Sequence, residues 1–321
     1  MIKEYTLPDK TDLRLIAELD ENSRQPISRI ARRLRINQNT LQFRLKRLIE
    51  EKVILGFYPS IDVSKLGYIA FRVYFNFINT DPLEEEKILN ELIKENICTI
   101  VAELEANYDA MFMATVKNIQ EFYHFWNQFK SKYRKFIENE QISIISRVDH
   151  FKRNYLSDIP RKGAESVGQS NQIKIDEGDK KILSFLVKNS RMSALEISAK
   201  TQIPPRTVIH KIKQLEKKRI ILGYRVNINL NKISYQYFKL NIKLSNTNQI
   251  KELEAYCKQN RNVIFIDYTI SDWDFELDLE VENKQKLVEF VKSLKTKFPI
   301  FKKIEIITFS KYHKIETIPT Q

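Results

Sequence analysis

Residues 27–56 read ISRIARRLRINQNTLQFRLKRLIEEKVILG, which parses as a short helix, a tight turn, a longer helix and the start of a strand. Leu41, Leu45, Leu48 and Ile49 recur at the three-and-four spacing of a buried helical stripe. That places Gln38, Asn39, Gln42, Lys46 and Arg47 on the outward side. The pattern is that of a helix-turn-helix. Its outward amides and guanidinium groups suit base edges in a major groove, where Gln or Asn bonds adenine bidentately and Arg bonds guanine. Each such pair contributes roughly 1–3 kcal/mol of discrimination. A plain solvated helix carries similar residues, so the surrounding sequence has to decide.

The surrounding sequence repeats itself. Shifted by 167 positions, Asp9 and Asp12 fall on Asp176 and Asp179, and Asn22-Ser23-Arg24 falls on Asn189-Ser190-Arg191. Thr40 falls on Thr207, and Ile54-Leu55-Gly56 on Ile221-Leu222-Gly223, all without a gap. One register held this long marks a tandem duplication. From Ile27 to Lys52, eight basic residues (Arg29, Arg32, Arg33, Arg35, Arg44, Lys46, Arg47, Lys52) stand against Glu50 and Glu51. The equivalent segment from Ala194 to Arg219 sets Lys200, Arg206, Lys211, Lys213, Lys217, Lys218 and Arg219 against Glu196 and Glu216. Two basic heads in a chain of net charge +13 point to double-stranded DNA as the partner. Arg32, Arg33, Arg35, Arg44, Lys46, Lys211 and Lys213 are the candidates for phosphate contact. Gln38, Asn39, Gln42, Arg47, Arg206 and His210 are the candidates for base readout.

The heads differ in detail. Asp9 or Thr11 can cap the first helix and Asn37 the reading helix, whereas the second reading helix starts at Pro204-Pro205, with Pro205 suited to the first helical position. Ser193 and Glu196 form a capping box one helix earlier. Gln38, Asn39, Gln42 and Phe43 correspond to Pro205, Arg206, Ile209 and His210. The expected recognition site is therefore asymmetric, with two unlike half-sites.

After each helix-turn-helix a short apolar strand suggests a wing, and then strand, helix, strand, strand, helix, strand follow in order. The expected fold class is α+β: two winged helix-turn-helix domains, each followed by a ferredoxin-like βαββαβ domain. The expected boundaries are 1–62 and 63–156 for the first head and sheet, 157–175 for a linker, and 176–229 and 230–321 for the second pair. As a flexible chain, that linker would span roughly 25 Å and reach about 60 Å fully extended, enough to accommodate the about 34 Å between half-sites one helical turn apart. Alternating residues Phe71, Val73, Phe75, Phe77 and Phe238, Leu240, Ile242, Leu244 predict an apolar sheet face that needs a second sheet or another chain against it. Phe122, Phe125, Trp126, Phe129, Tyr133 and Phe136 have helical spacing, which core or interface packing explains better than base stacking.

The sequence shows no run of 18 apolar residues and no signal-peptide core. The expectation is a cytoplasmic protein with no membrane contact. Cys98 and Cys257 stand apart, which argues against disulfides and zinc sites. The four histidines are scattered, and six glycines leave little room for a phosphate loop or nucleophile elbow. Neither an enzyme, a metal site nor a cofactor is expected.

The motifs DKTDLRLIAELDENSR (9–24) and DEGDKKILSFLVKNSR (176–191), the two helix-turn-helix stretches, and the turns ANYDAMF (106–112) and SDWDFEL (271–277) together resemble the leucine-responsive regulator and AsnC family of transcription factors. The resemblance covers nearly everything but the linker and tails, once in each half. It implies a winged helix that reads DNA and a sheet domain that dimerises and senses a small effector, often an amino acid. The two halves would form an intramolecular pseudo-dimer, with homo-oligomers beyond it. Tyr108, Asp109, Trp273 and Asp274 match the turn near which the family's effector sits, as effector or interface residues. The sequence departs from the family at that turn, where Ala106 and Ser271 replace a glycine, and at the helix-turn-helix turn, where Arg35 and Gln202 do. Siroheme decarboxylases resemble the same two-module architecture and are the enzyme alternative. A protein-interaction module that no longer binds DNA is the other alternative.

Overall fold

The computed structural model describes residues 7–158, 161, 163–168 and 171–319. Its first half runs α1 (Lys10–Glu21), α2 (Ile27–Leu34), α3 (Gln38–Glu50), β1 (Ile54–Ile61), β2 (Ile69–Phe77), α4 (Pro82–Lys94), β3 (Cys98–Glu105), β4 (Ala110–Val116), α5 (Ile119–Tyr133) and β5 (Ile137–Phe151). After β6 (Ala164–Gly168) the second half repeats that order as α6 (Glu177–Lys188), α7 (Ala194–Thr201), α8 (Pro205–Lys217), β7 (Ile221–Ile228), β8 (Gln236–Leu244), α9 (Ile250–Gln259), β9 (Val263–Ile270), β10 (Phe275–Val281), α10 (Lys284–Lys297) and β11 (Phe301–Ile315). The fold is α+β throughout, with two helix-turn-helix heads and two ferredoxin-like sheet domains.

Local chemistry sets the helix ends. The Asp9 carboxylate accepts from the Asp12 amide at 2.8 Å while Asp12 accepts from the Asp9 amide at 3.1 Å, and Asp176 and Asp179 repeat this box at α6. Such caps satisfy amides that the first helical turn leaves without partners. Asn37 caps α3 through the Asn39 amide at 2.8 Å, whereas α8 starts on Pro204 with no side-chain cap and carries Pro205 in its first turn. The α2 and α7 helices end on left-handed residues, Arg35 at φ 56° and Gln202 at φ 62°. A Cβ disfavours that region, so both copies keep a glycine-like backbone without the glycine. Ala106 does the same at φ 86° in the first sheet turn.

Eight strands close on themselves in the order β2-β4-β3-β11-β8-β10-β9-β5, with β5 bonding back to β2. The two long strands make the closure possible. Residues 137–145 of β5 pair with β2 and residues 144–150 with β9. Likewise residues 301–308 of β11 pair with β8 and residues 308–315 with β3. Each half thus donates the end of its last strand to the other's sheet.

The apolar face predicted from the alternation lies elsewhere. Phe71, Val73 and Phe75 are buried in one core with Leu89 and Leu92 of α4 and Phe122, Trp126 and Phe129 of α5. Phe238, Leu240, Ile242 and Leu244 are buried with Leu253 of α9 and Leu287 and Leu294 of α10. These residues pack under helices outside the barrel, and it is the opposite, polar face that meets the other sheet. The alternation keeps its period of two with the faces exchanged, because the amphipathic helices of each half cover its apolar sheet face.

The barrel interior is consequently ionic. Arg72 of β2 reaches across to Glu276 at 2.6 Å and to Asp267, while Lys239 of β8 meets Asp267 at 2.8 Å, Glu276 at 3.0 Å and Asp278 at 3.2 Å. Burial opposes the Asp267 charge, but Lys239 and Arg72 hold its pKa down to about 2. Burial wins at Asp278 and pushes it up to about 6. A second buried network joins the barrel to the first head. Asp20 pairs with Arg153 at 2.8 Å and Arg225 at 3.1 Å, Arg153 with Glu280 at 2.8 Å, and Arg225 with Glu165 at 3.2 Å.

His150 lies beside this second network, 6% exposed and stacked on Phe265 at 4.2 Å. Burial, with Arg225, Arg153 and Lys152 nearby, holds its pKa well below the usual value. The unfolded chain binds a proton there below about pH 6.5 and the folded chain does not, so stability falls with acidification. We expect the wild type to lose about 1.4 kcal/mol per pH unit below 6.5 relative to a His150→Phe variant, measured by urea unfolding between pH 7 and 5. Comparison with the variant cancels Asp278, whose raised pKa acts with the opposite sign between about pH 4 and 6. A pH-independent difference would mean that the folded imidazole takes up the proton.

The strands read as wings pair with each other. β1 and β7 form an antiparallel ribbon from Ile54 opposite Ile228 to Ile61 opposite Ile221. The expected 157–175 linker is also corrected in part, because β6 adds to the end of β5 from Arg147 opposite Gly168 to Phe151 opposite Ala164. The Ile173 amide further donates to the Lys65 carbonyl at 2.7 Å. Residues 159–160, 162 and 169–170 of that expectation lie outside the described residues, as do 1–6 and 320–321 of the terminal domains.

Candidate nucleic-acid interface

In the first head, Leu41, Leu45 and Leu48 bury α3 against α1 and α2. This leaves Gln38, Asn39, Gln42 and Lys46 exposed, together with Arg32, Arg33 and Arg35 from α2 and the turn. In the second, Val208, Ile212 and Leu215 bury α8 and leave Arg206, His210 and Lys213 exposed. Gln38, Asn39, Gln42 and Lys46 thus share the outward side of α3, and Arg206, His210 and Lys213 that of α8.

Three of the sequence candidates are held by neighbouring acids. Arg44 bonds Asp9 at 2.7 Å and Asp12 at 2.9 Å, Arg47 bonds Asp12, and Lys211 bonds Asp176 at 2.6 Å and Asp179 at 3.1 Å. The Asp9 and Asp12 hydrogen bonds raise the Arg44 pKa, and the Asp176 bond raises that of Lys211. These cations tie each reading helix to the start of the first helix of its head, and a phosphate has to compete with the carboxylates. Arg33 also touches Glu18, at 3.2 Å, but keeps half its side chain in solvent.

Sequence reading missed the device that fixes the heads to each other, although the Asn-Ser-Arg repeat was visible in both. Ser23 and Ser190 hydroxyls meet at 3.0 Å. Arg24 donates to the carbonyls of Ser190 and, at 2.9 Å, Met192, while Arg191 donates to those of Ser23 and, at 3.3 Å, Gln25. The Ser23 amide donates to the Tyr224 carbonyl and the Ser190 amide to that of Phe57, both at 2.9 Å. The motif is a reciprocal clasp about the pseudo-two-fold axis. Together with the β1–β7 ribbon it joins the two heads directly, where the sequence suggested only a flexible tether between the halves.

The two sheet turns converge on one cleft of about 710 Å³, lined by Asn76, Asn107, Tyr108, Asn139, Glu140 and Gln141 from the first half and by Lys243, Asp272, Trp273, Lys303 and Glu305 from the second. Tyr108 donates to Gln141 at 2.6 Å. Asp109 and Asp274 are anchors of the turns, accepting from the Phe77 and Leu244 amides at 2.8 Å. Trp273 is 9% exposed, and its indole Nε1 has no hydrogen-bond partner among the described residues. No group of three or more acidic, histidine or cysteine side chains placed to hold a metal is found among the described residues, nor any helix long and apolar enough to cross a membrane.

A family model for winged helix-turn-helix DNA-binding domains matches residues 8–54 and again 175–221. The chain is 31% identical over 112 residues to the HTH-type transcriptional regulator Ptr1 of Methanocaldococcus jannaschii, covering 35% of this chain and 74% of that one. It is 28% identical over 122 residues to an uncharacterised HTH-type transcriptional regulator of Pyrococcus furiosus, covering 38% of this chain and 82% of that one. Across its whole length the fold is like that of the siroheme decarboxylase NirDL, with a TM-score of 0.63 at 14% identity over 97% of this chain and 94% of that one. That last likeness is one of fold. With two matched DNA-binding heads, each followed by the same sheet domain, this chain belongs to the leucine-responsive regulator and AsnC family of HTH-type, DNA-binding transcriptional regulators, as a tandem duplication.

Proposed function

We propose that the protein, acting on DNA in the cytoplasm, grips one duplex with both heads at once and reads an asymmetric site, and that it carries out no catalysis. The carrying observation is that one clasped frame presents two unlike reading faces: Gln38, Asn39 and Gln42 on α3 and Arg206 and His210 on α8, all exposed. The apolar Phe43, 69% exposed, and Ile209, 45% exposed, lie on the same faces and suit contact with thymine methyl groups. Selection from a randomised DNA pool followed by footprinting is expected to give two dissimilar half-sites. A strict palindrome bound by one chain would overturn this reading. Replacing thymine by deoxyuridine in the selected site tests the apolar contacts separately, with weaker binding expected.

The cleft between the turns supports a small effector, an amino acid or a similar molecule. The Trp273 indole Nε1 is a buried donor with no partner among the described residues, and Lys303 stands 5.1 Å from its ring. A change in Trp273 fluorescence in a Trp126→Phe background, on titration with amino acids, is the expected signal. The fold likeness to a siroheme decarboxylase makes a tetrapyrrole titration the matching control. The interior cations Arg72 and Lys239 are already matched by carboxylates, with which tetrapyrrole carboxylates would have to compete, and an unchanged absorption spectrum is expected.

A further inference from the structure

We infer that the buried charges form a pairing code: the first half accepts a second half as its partner, and neither half accepts a copy of itself. The strand registers show which positions are equivalent. Arg72 lies opposite Met113 on β4 as Lys239 lies opposite Asp278 on β10. Tyr74 lies opposite Met111 as Asn241 lies opposite Glu276. Ala102 lies opposite Met111 as Asp267 lies opposite Glu276.

The second half therefore holds Asp267, Glu276 and Asp278 where the first holds Ala102, Met111 and Met113. Lys239 is satisfied by carboxylates of its own half, whereas among the described residues Arg72 finds its carboxylate partners across the barrel. A first–first pairing would bury two Arg72 guanidinium groups against alanine and methionine. A second–second pairing would bury six carboxylates around two lysines. The unlike pairing sets two cations against three carboxylates, and one of these, Asp278, also accepts the Tyr237 hydroxyl at 2.7 Å.

The ribbon carries a second, independent part of the code. Tyr58 lies directly opposite Arg225, which is fully buried and bonds Asp20 of the first half at 3.1 Å. By the 167-residue shift, Val187 takes the place of Asp20 in the second half. A second–second ribbon would thus place Arg225 against Arg225 beside Val187. Uncompensated buried charge is the most costly kind of interface error, so both like pairings are disfavoured while the unlike one is satisfied.

The test starts from the full folded chain carrying a protease site between Gly168 and Asn171, cut after purification. Heavy- and light-isotope batches of the nicked protein are mixed, with and without a guanidinium unfolding cycle, and the pairs are counted by native mass spectrometry. Unlike pairs are expected to exceed each kind of like pair by at least about a hundredfold. Like pairs near the statistical share would overturn the inference. In an Arg72→Met variant, which removes the cation that a first–first pair strands, first–first pairs are expected to rise at least about tenfold while second–second pairs stay rare. No rise in a variant that still folds would also overturn it, and the wild-type count decides by itself if the variant does not fold.

Discussion

Replacing Asp20 with alanine is expected to lower the free energy of unfolding by about 3–5 kcal/mol, because it removes one partner of a buried ionic network and leaves the other charged. Asp20 and Arg225 are both fully buried, and the same carboxylate also neutralises Arg153 at 2.8 Å and accepts the Arg153 amide at 2.9 Å. Water cannot reach Arg225 to replace what is lost. Burial opposes the Asp20 charge, but Arg225 and Arg153 outweigh it and keep the carboxyl below its usual pKa. This stabilisation is therefore present above about pH 4 and lost as pH falls through the folded pKa. Urea unfolding at pH 7 measures the main effect. The Asp20→Ala deficit should shrink on acidification toward pH 3, and a loss under about 1 kcal/mol at pH 7 would mean that the network rearranges around the gap.

Neutralising Arg32 and Arg33 together should weaken binding to every DNA sequence alike, since both stand on the exposed face of α2 rather than on the reading helix. Each phosphate contact adds about 0.9 to the slope of log affinity against log salt, so loss of two flattens that slope by about 1.8. If Glu18, 3.2 Å from Arg33, keeps that guanidinium from the phosphates, the loss is about half as large. Fluorescence anisotropy on specific and unrelated duplexes between 50 and 200 mM salt measures both quantities. A Gln42 substitution should behave differently, changing which sequence is preferred while leaving the slope nearly unchanged. An unaltered slope in the double variant would place the DNA on another surface.

The amino-acid sequence by itself determined the duplication, the helix-turn-helix heads, the order of the sheet elements and the caps at Asp9, Asn37 and Ser193. All of these rest on short-range periodicity and on side chains bonding amides two or three residues away. It also showed that Gln38, Asn39, Arg206 and His210 stand on outward faces, because the leucines and isoleucines opposite them fix which way each helix turns. Tertiary structure decided the rest. Alternation along β2 shows that two faces differ but not which one meets the other half, so Phe71 and Phe238 went under helices and Arg72 and Lys239 into the barrel. Nothing near Asp20 in the chain announces Arg225, which lies 205 positions away, and nothing near Asn22-Ser23-Arg24 announces that its repeat will grip it. Ion pairs and clasps between distant segments depend on which surfaces the closed barrel brings together, and that is set by the packing of the whole molecule rather than by any stretch of it.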